Sequence, residues 1–428
     1  MVEKIQALRG MNDILPEETL SWRSLEAILT KCMDQYGYQE IRLPLLEDTQ
    51  LFKRSIGEVT DIVEKEMYTF TDLNGQSVSL RPEGTAGCLR ACLEHGLLRN
   101  QQQKLWYIGP MFRHEKPQKG RFRQHMQFGV EALGIKGNAI ELELLSIIKR
   151  LLTSLDICDE VNLQINTLGS ISERRKYIEI LVNYLAMHID QLDDDSKRRL
   201  EHNPLRILDS KNPAMQPLLN KAPKLIDVIS NASKDKFLDL CTGLDDLGIT
   251  YTINPLLVRG LDYYEHTVFE WVTNKLGSQA TICAGGRYDA LLLQLSGQAQ
   301  AAIGFAIGME RLLLLLNIAS ITLARHKIPR LFIIAIVEQA MLKALALAEK
   351  LRDKGQWQVI TNFTNGSLKN QFKKADKSDA DFALIIGEDE LAEGVISLKN
   401  LRQATVPAAQ IKLVENDLVN YLEKFYGS

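Results

Sequence analysis

Residues 105–134, LWYIGPMFRHEKPQKGRFRQHMQFGVEALG, predict the part of the fold that carries the chemistry. Polar and apolar residues alternate at both ends of this stretch, which indicates two strands joined by a charged loop. One face of the second strand carries Gln127, Gly129 and Glu131. Charged side chains are rarely buried without partners, so this face is not an ordinary core, and Gly129 leaves an open space between two polar side chains.

The loop between these strands is basic, because it contains Lys116, Lys119, Arg121 and Arg123. Arg113 lies at the end of the first strand. A hairpin with a solvated face and a basic turn would have the same pattern, so this stretch alone leaves both interpretations open. Three other stretches favour a binding site.

The composition is that of an ordinary globular protein, with 428 residues, 45% hydrophobic and 25% charged, enough for two or three domains. A net charge of −3 gives no overall sign of nucleic-acid binding, which would then depend on local patches. The six cysteines are scattered without a C-x-x-C pair, which favours reduced thiols over disulfides or zinc ligands. With no apolar signal core and no bilayer-length apolar run, we expect a cytoplasmic protein without a membrane partner.

The segment RPEGT, residues 81–85, follows a strand predicted at residues 77–80. Thr85 is placed to cap the helix predicted at residues 86–95. Glu83 then lies where a strand gives way to a helix, which is a common position for ligand contacts. A structural loop carboxylate would also fit there.

Two turns within residues 256–289 concentrate arginine, tyrosine, aspartate and glycine. The first turn contains Arg259, Gly260, Asp262, Tyr263 and Tyr264. The second, GGRYD at residues 285–289, has two glycines that would let the backbone approach a ligand, and Tyr288 as an aromatic wall. Arginine and tyrosine also stack in cores, but this density favours a small-molecule pocket.

The strand predicted within AAIGFAIGMERLLLLL, residues 301–316, has one nearly bare face, formed by Gly304, Ala306 and Gly308. A bare face lets a flat ring lie on the backbone. The helix that follows carries Arg311 in its first turn, where the positive helix end suits a polyphosphate. A closely packed strand–helix junction would explain the glycines but not Arg311.

The chain contains neither G-x-x-x-x-G-K-[ST] nor a strand-linked G-x-G-x-x-G, so we expect arginines to hold a nucleotide. Arg113 and Arg311 would clamp its phosphates. Beyond residue 329, strands and helices alternate, which predicts a small α/β domain with a mixed sheet. One of its helices has a basic surface, which is either a solvated face or a surface for RNA phosphates, formed by Lys369, Lys373, Lys374 and Lys377, with Arg402 beyond.

Six segments together resemble the class II aminoacyl-tRNA synthetases, and within that class the histidyl-tRNA synthetase family. Residues 37–46, FRHE at 112–115 and GFAIGMER at 304–311 are similar to the three class motifs. The family-specific likeness lies in RGMND at 9–13, LVRGLDYY at 257–264 and AGGRYD at 284–289. The resemblance covers the whole chain and departs at Glu265 and His266, beyond the two tyrosines.

The resemblance implies an α+β fold: an antiparallel-sheet catalytic core flanked by helices, a helical insertion, and a C-terminal α/β anticodon-binding domain with a mixed sheet. The implied boundaries are 1–169 and 254–325 for the two parts of the core, 170–253 for the insertion, and 329–428 for the anticodon-binding domain. The core would form a homodimer partly through the first class motif.

The implied activity is that of a histidine–tRNA ligase in protein biosynthesis. It activates L-histidine with ATP, giving histidyl-adenylate and pyrophosphate, and then transfers histidine to the 3′-terminal adenosine of tRNA(His). One or more Mg²⁺ ions would bridge the polyphosphate, with no all-protein metal site evident.

By resemblance, the catalytic residues are Arg259 and Arg113, which neutralise charge at the α-phosphate. The implied ATP-binding residues are Arg113, Glu115, Arg121, Arg123 and Arg311. The implied histidine-binding residues are Glu83, Thr85, Arg113, Gln127, Glu131, Arg259, Tyr263, Tyr264 and Tyr288.

A non-catalytic histidine sensor, the regulatory subunit of ATP phosphoribosyltransferase, is the main alternative. Such a relative should lack the C-terminal domain and the key arginines, whereas Arg113, Arg259 and Arg311 are all present. A class II synthetase for another amino acid would not be expected to carry the two tyrosine-bearing turns. A bare RNA-binding module would explain none of the pocket chemistry.

Overall fold

A computed structural model of the chain describes residues 4–57, 60–261, 263–277, 281–323, 328–362, 367–402 and 410–426. The chain divides into two compact units, Met1–Ala324 and Arg325–Ser428. Asp262, which the sequence places in a polar turn, lies outside the described residues, as does Phe363, the last residue of a strand that the sequence predicts at residues 357–363.

The first unit contains both helices and strands. Its helices are α1 Pro16–Tyr36, α2 Thr49–Ile56, α3 Thr85–Glu94, α4 Ala139–Ser154, α5 Ile171–Ala186, α6 Asp194–His202, α7 Gln216–Asn220, α8 Leu225–Val228, α9 Asn231–Asp246, α10 Asp289–Ser296 and α11 Met309–Ile318. Its strands are β1 Gln39–Glu40, β2 Leu46–Asp48, β3 Thr69–Thr71, β4 Ser77–Leu80, β5 Gln103–Phe112, β6 Gln124–Leu133, β7 Asn162–Thr167, β8 Tyr251–Ile253, β9 Glu265–Val272, β10 Thr281–Arg287 and β11 Ala302–Gly308.

The main sheet has eight strands in the order β1-β5-β6-β11-β10-β9-β7-β8. Its inner pairs are antiparallel, and the two edge strands β1 and β8 pair in parallel with their neighbours. The predicted hairpin is confirmed as the antiparallel pair β5 and β6, with Tyr107 opposite Gly129 and Gly109 opposite Gln127. This sheet, with helices packed against it, confirms the α+β class.

Alternation along β6 and β11 decides what each face of the sheet does. Phe128 and Val130 of β6 and Phe305 of β11 are buried in one apolar cluster with residues of α1, α4 and α11. The residues between them, including Gln127, therefore point to the opposite face, which holds the polar groups of the site.

The proline-containing segment differs from its prediction. The sequence of residues 39–46, which ends in Pro44-Leu45-Leu46 after the glycine at position 37, predicts one strand, but the chain forms β1 at the edge of the main sheet and β2 in a separate sheet ordered β2-β4-β3. Arg81 holds the intervening turn, because its Nη1 donates to the carbonyl of Leu43 at 3.0 Å and its Nε to that of Pro110 at 3.0 Å. A strand that contains proline is expected at a sheet edge or an interface, and both β1 and β2 are edge strands.

Residues 171–246 form the helices α5 to α9. Their apolar side chains join a cluster that also contains residues of the candidate site: Tyr177 of α5 and Leu219 of α7 are buried together with Tyr263 and Tyr288. Helix α5 begins with a capping box, in which Ser170 and Glu173 bond each other's backbone amides.

The second unit is a separate α/β structure. Its strands are β12 Arg330–Ala335, β13 Gln358–Thr361, β14 Phe382–Ile386, β15 Val395–Asn400 and β16 Ile411–Val414. Its helices are α12 Ala340–Asp353, α13 Leu368–Lys377, α14 Glu388–Glu393 and α15 Glu415–Tyr426. The sheet order is β13-β12-β14-β15-β16, with parallel pairs on one side and antiparallel pairs on the other, so the predicted mixed sheet is confirmed.

Two elements of this unit escaped the sequence analysis. Helix α14 has only six residues, and β16 is mostly exposed, so neither shows a clear apolar period.

The Arg402 guanidinium forms an ion pair with Asp376 at 2.9 Å, so its charge is compensated within the unit. In the described part of the chain, no helix is long and apolar enough to cross a bilayer.

Candidate active site

A cavity of about 530 Å³ opens on the polar face of the main sheet. Most of the residues predicted for the site line it, namely Glu83, Thr85, Arg113, Glu115, Arg121, Gln127, Arg259, Tyr263, Tyr264 and Arg311. Three others, all within the described residues, are outside the lining: Arg123, Glu131 and Tyr288. The first of these faces away from the cavity, and the other two are buried just beyond its lining.

Glu83, not Thr85, caps helix α3, which corrects the predicted capping. Its Oε2 accepts the amide of Thr85 at 2.7 Å, and its Oε1 accepts the amide of Ala86 at 2.9 Å. A carboxylate is favoured at a helix N-terminus, where backbone amides lack partners. Burial nevertheless raises the pKa of Glu83 above its ordinary value. Because Glu83 satisfies the amides, the Thr85 hydroxyl is available for another contact.

That contact is Glu131, which binds three hydroxyl groups. Its Oε1 accepts from Thr85 at 2.7 Å and from Tyr107 at 3.0 Å, and its Oε2 accepts from Tyr288. Glu131 as a whole residue is 1% exposed. Burial raises the pKa of Glu131 to about 8, although the bonds from Tyr288 and Thr85 favour the ionised form.

Side chains fill the space beside the glycines around Glu131, which corrects two expectations. The space beside Gly129 is not open, because a Cβ built at Gly129 or Gly84 would overlap the ring of Tyr107. The strand β11 is not bare at Gly304, where a Cβ would overlap the Glu131 carboxylate. Gly304, Ala306 and Gly308 form the small-residue part of the cavity wall on this strand, and the Glu131 carboxylate covers the Gly304 end.

The second glycine-bearing turn is also different from its prediction. Gly285 and Gly286 belong to β10 rather than to a turn, and a Cβ at Gly285 would collide with the carbonyl of Gly304. These glycines therefore permit close strand packing instead of ligand approach. Arg287 beside them is buried in an ion pair with Glu141 at 2.8 Å.

Three tyrosines form an aromatic wall near Glu131. The ring centroids of Tyr263 and Tyr264 are 4.6 Å apart, and those of Tyr263 and Tyr288 are 5.6 Å apart. Beside them, the buried Oε1 of Gln127 has no hydrogen-bond partner among the described residues. An unpaired buried acceptor is costly, so this amide is suited to bind a donor of a ligand.

Arginines surround the other part of the cavity. Arg113 donates from Nε to the Pro82 carbonyl at 2.8 Å, and Arg121 forms an ion pair with Glu115. Arg311 donates to the carbonyls of Gly120 at 3.2 Å and Thr281 at 2.8 Å. Burial lowers the pKa of Arg311, and Arg121 lowers it further. Several arginine side chains fixed by hydrogen bonds or ion pairs in one partly buried space favour the binding of a polyanion.

Arg123 points elsewhere. Its Nε donates to the carbonyl of Glu115 at 3.2 Å, and its amide donates to the carbonyl of Gly10 at 2.8 Å. Arg123 therefore joins the basic loop to the N-terminal RGMND segment, within which Gly10 lies.

Arg259 is held from one side by an acidic residue that the sequence analysis did not select. It forms an ion pair with Glu270 of β9, and its guanidinium carbon lies 5.6 Å from the ring centre of Tyr264. The buried Nε of Arg259 lacks a hydrogen-bond partner within the described residues. A buried N–H without a partner is suited to a phosphate oxygen.

The sequence analysis also missed other groups of the site. Tyr107 shares the polar face of the hairpin, which was the available signal. His125 and Glu310 line the cavity, and burial lowers the pKa of His125 to about 3 and raises that of Glu310 to about 7. From the helical segment, Arg199 forms an ion pair with Asp61 at 3.4 Å, and both residues line the cavity; no local sequence pattern predicts this contact.

The departure at Glu265 and His266 has a structural role. Oε1 of Glu265 accepts the amide of Ala290 at 2.8 Å, in the first turn of α10. His266 has a positive φ of 50°, and its amide donates to the carbonyl of Gly169 at 2.8 Å. Both residues therefore organise backbone near the site without lining its cavity.

Comparison with known proteins gives one consistent family. A family model described as "Histidyl-tRNA synthetase" matches residues 10–312, and one described as "Anticodon binding domain" matches residues 330–424. Two relatives from Legionella pneumophila, both named "Histidine--tRNA ligase", show comparable similarity. The relative from strain Lens is 61% identical over 96% of this chain and 98% of its own length. The relative from strain Paris is 60% identical over 99% of this chain and 100% of its own length.

A solved structure supports the same assignment. The apo histidyl-tRNA synthetase of S. aureus is 37% identical, with a TM-score of 0.81 over 98% of this chain and 99% of that one. The family match thus includes the cavity, the helical segment and the second unit alike. With its arginine-lined cavity and its tyrosine wall in the matched region, the chain belongs to the histidyl-tRNA synthetase family.

Proposed function

We propose that the cavity activates L-histidine on the side of Glu131 and binds ATP on the side of the arginines. The chain is a histidine–tRNA ligase by family, with ATP as a substrate and histidine and tRNA as partners. The observation that supports this arrangement is the position of the unpaired Gln127 oxygen, which lines the same cavity as Arg113, Arg259 and Arg311.

Histidine would bind in the cavity against Tyr263 and Tyr264, next to the hydrogen-bonded pair Glu131 and Tyr288. Its imidazole has two polar nitrogens, and Glu131 and the tyrosine hydroxyls supply partners for them. Glu83 and Gln127 would accept from the α-ammonium group, and Thr85 would keep Glu131 in place. An amino acid without the imidazole nitrogens would leave these groups unpaired, which is a strong basis for rejection.

ATP would bind along the arginines, with Arg121 and Arg311 on the outer phosphates and Glu115 orienting Arg113 or the adenine ring. Arg123 remains part of the proposed phosphate-binding set, although it is outside the cavity lining and its Nε donates to the backbone of the lining residue Glu115. The adenine would lie against Ala306 and Gly308 of β11.

In the first step, a carboxylate oxygen of histidine attacks the α-phosphorus of ATP. The bond to the β-phosphate oxygen breaks, and pyrophosphate leaves. The nucleophile is already an anion, so the residues need to hold the reactants in line and neutralise developing charge rather than remove a proton. Arg259 and Arg113 are the proposed catalytic residues at the α-phosphate. The oxygen of a ribose hydroxyl of the terminal adenosine of tRNA(His) then attacks the histidyl carbonyl carbon, the bond from that carbon to the phosphate oxygen breaks, and AMP and the hydroxyl proton leave.

Mg²⁺ is part of the proposal as a companion of ATP. The described residues contain no group of three or more His, Cys, Asp or Glu side chains arranged to hold a metal ion. Mg²⁺ commonly keeps several waters and binds through phosphates with one or two carboxylates, so a polyphosphate in this cavity would carry it. When bound, it would neutralise phosphate charge beside the arginines.

The same family assignment supports a homodimer and a cytoplasmic place in protein synthesis. Apolar side chains are exposed around β2 and β3, including Leu45, Leu46 and Phe70, each more than 40% exposed. Such a patch is typical of a protein interface. Multi-angle light scattering should give twice the chain mass, and acidic substitutions at Leu46 and Phe70 should give the single mass.

For tRNA, we propose that the domains keep the boundaries expected from the sequence: 1–169 and 254–325 for the core, 170–253 for the insertion and 329–428 for the anticodon-binding domain. The insertion would contact the acceptor arm. The second unit would contact the anticodon, with the exposed lysines of α13 near its phosphates.

Pyrophosphate–ATP exchange with each of the twenty amino acids, without tRNA, tests the activation step. We expect exchange with histidine alone. Exchange with a different amino acid would contradict the proposed histidine pocket. Histidine binding without any exchange would instead favour the regulatory-subunit alternative.

A further inference from the structure

We propose that Tyr107 is a positioning residue for histidine recognition. By its hydrogen bond to Glu131, it determines which oxygen of that carboxylate faces the ligand. The inference rests on the proposed function of the cavity. It concerns a residue outside the cavity lining, buried to 2% exposure, whose ring is enclosed by two glycines.

The ring of Tyr107 is held from two sides of the chain. Gly84, just before α3, and Gly129, opposite Tyr107 on β6, both lack the side-chain atoms that would overlap it. Any larger residue at either position would displace the ring. The hydroxyl is therefore fixed, rather than free to rotate away, at 3.0 Å from Oε1 of Glu131.

A fixed hydroxyl at Oε1 makes the two carboxylate oxygens unequal. Each oxygen has about two lone-pair sites for hydrogen bonds. Thr85 and Tyr107 fill both sites of Oε1, whereas Oε2 accepts from Tyr288 and keeps one site. Oε2 also lies against Gly304, which lines the cavity. Because Glu131 and Gly304 are paired across the sheet, the remaining acceptor lies on the same face as the cavity and at its edge, where an N–H of the imidazole would meet it.

The Tyr107 hydroxyl also affects the charge of Glu131. A hydroxyl that donates to a carboxylate favours the ionised form, which is the form able to accept an N–H. Removing it moves the pKa of Glu131 further up. The affinity for histidine should then reach its plateau at a higher pH, an effect that simple loss of packing would not produce.

The test is histidine-dependent pyrophosphate–ATP exchange between about pH 6 and pH 9 with Tyr107→Phe, which keeps the ring. The KM for histidine should rise about tenfold, the loss associated with a hydrogen bond to a charged group, while the KM for ATP stays within about twofold. The midpoint of the pH dependence should move to higher pH. The matched control is Tyr177→Phe, since Tyr177 is equally buried but donates to the Pro223 carbonyl at 2.8 Å.

A double-mutant cycle with Glu131→Gln separates positioning from general structure. If Tyr107 acts through Glu131, Tyr107→Phe should change the histidine KM little in the Glu131→Gln background. Additive effects, an unchanged KM, or an equal effect of Tyr177→Phe would overturn the inference. Failure of the unaltered protein to exchange with histidine would instead overturn the proposed function, so the two failures are distinct.

Discussion

Arg259 and Glu270 form an ion pair, and the hydroxyl of Thr281 donates to the second oxygen of the same carboxylate at 2.9 Å. Glu270 lies in β9 and Thr281 at the start of β10, so two paired strands anchor a guanidinium that comes from the preceding segment. Desolvation lowers the pKa of Arg259, but Glu270 and the neighbouring tyrosines outweigh it, and the pKa lies above the ordinary value.

Arg259→Ala should lower the rate of adenylate formation by roughly 10²–10³, the range for losing one donor that stabilises the transition state. The rate is measured by pyrophosphate exchange at saturating histidine and ATP. Arg150→Ala is the control, because Arg150 lies outside the cavity and bonds the hydroxyl of Tyr36. Activation at near the unaltered rate would remove Arg259 from the proposed catalytic pair.

Glu270→Gln should lower the same rate by about tenfold, because the amide still accepts from Thr281 but no longer holds Arg259 by charge. The KM for histidine should change less than the turnover number. Stopped-flow measurement of a single turnover separates these quantities. If the variant weakened histidine binding and left the chemical step intact, Glu270 would belong to the amino-acid pocket instead.

Arg121→Ala and Arg123→Ala should differ in their effect on ATP. Arg121 lines the cavity, whereas Arg123 bonds the backbone around Glu115 and Gly10. We expect the KM for ATP to rise about tenfold or more for Arg121→Ala, as for loss of a charge-assisted phosphate contact, and clearly less for Arg123→Ala. Equal losses would show that Arg123 contacts the phosphates directly when ATP is bound.

Gly129→Ala should destabilise the first unit by about 1–3 kcal/mol, the usual effect of overpacking, because its Cβ would overlap the ring of Tyr107. It should also raise the histidine KM by displacing the Tyr107 hydroxyl from Glu131. Urea unfolding and exchange kinetics measure the two effects. Gly308→Ala is the stability control, since its Cβ would meet only Arg311, at 3.9 Å. An equal loss of stability in both variants would count against the steric explanation.

Glu310→Gln should change how stability depends on pH. Burial raises the pKa of Glu310 from 4.5 to about 7, so the folded protein keeps a proton that the unfolded chain loses. Stability from this group therefore falls as pH rises from 4.5 to about 7 and is constant above. The Glu310→Gln variant lacks this loss, so its stability relative to that of the unaltered protein should increase between pH 5 and pH 8. Urea midpoints at both pH values test it, and a constant difference would contradict the raised pKa.

Local patterns account for the elements that the sequence predicted well. The second strand of the predicted hairpin is β6, and the strand predicted at residues 77–80 is β4, because alternation with a period of two sets the faces of a strand before any tertiary contact. The same alternation placed Gln127 and Glu131 on one polar face. Short or mostly exposed elements such as α14 and β16 have no such period.

By itself, the sequence determined the class of fold, the family, and the set of arginines, tyrosines and carboxylates from which a site is built, since these follow from spacing and residue type. Tertiary structure alone decided that Glu83 rather than Thr85 caps α3, that Tyr107 occupies the space beside Gly129, and that Arg123 points away from the cavity. These outcomes depend on which groups from distant segments satisfy each buried donor and acceptor and fill each gap, which only the packed chain specifies.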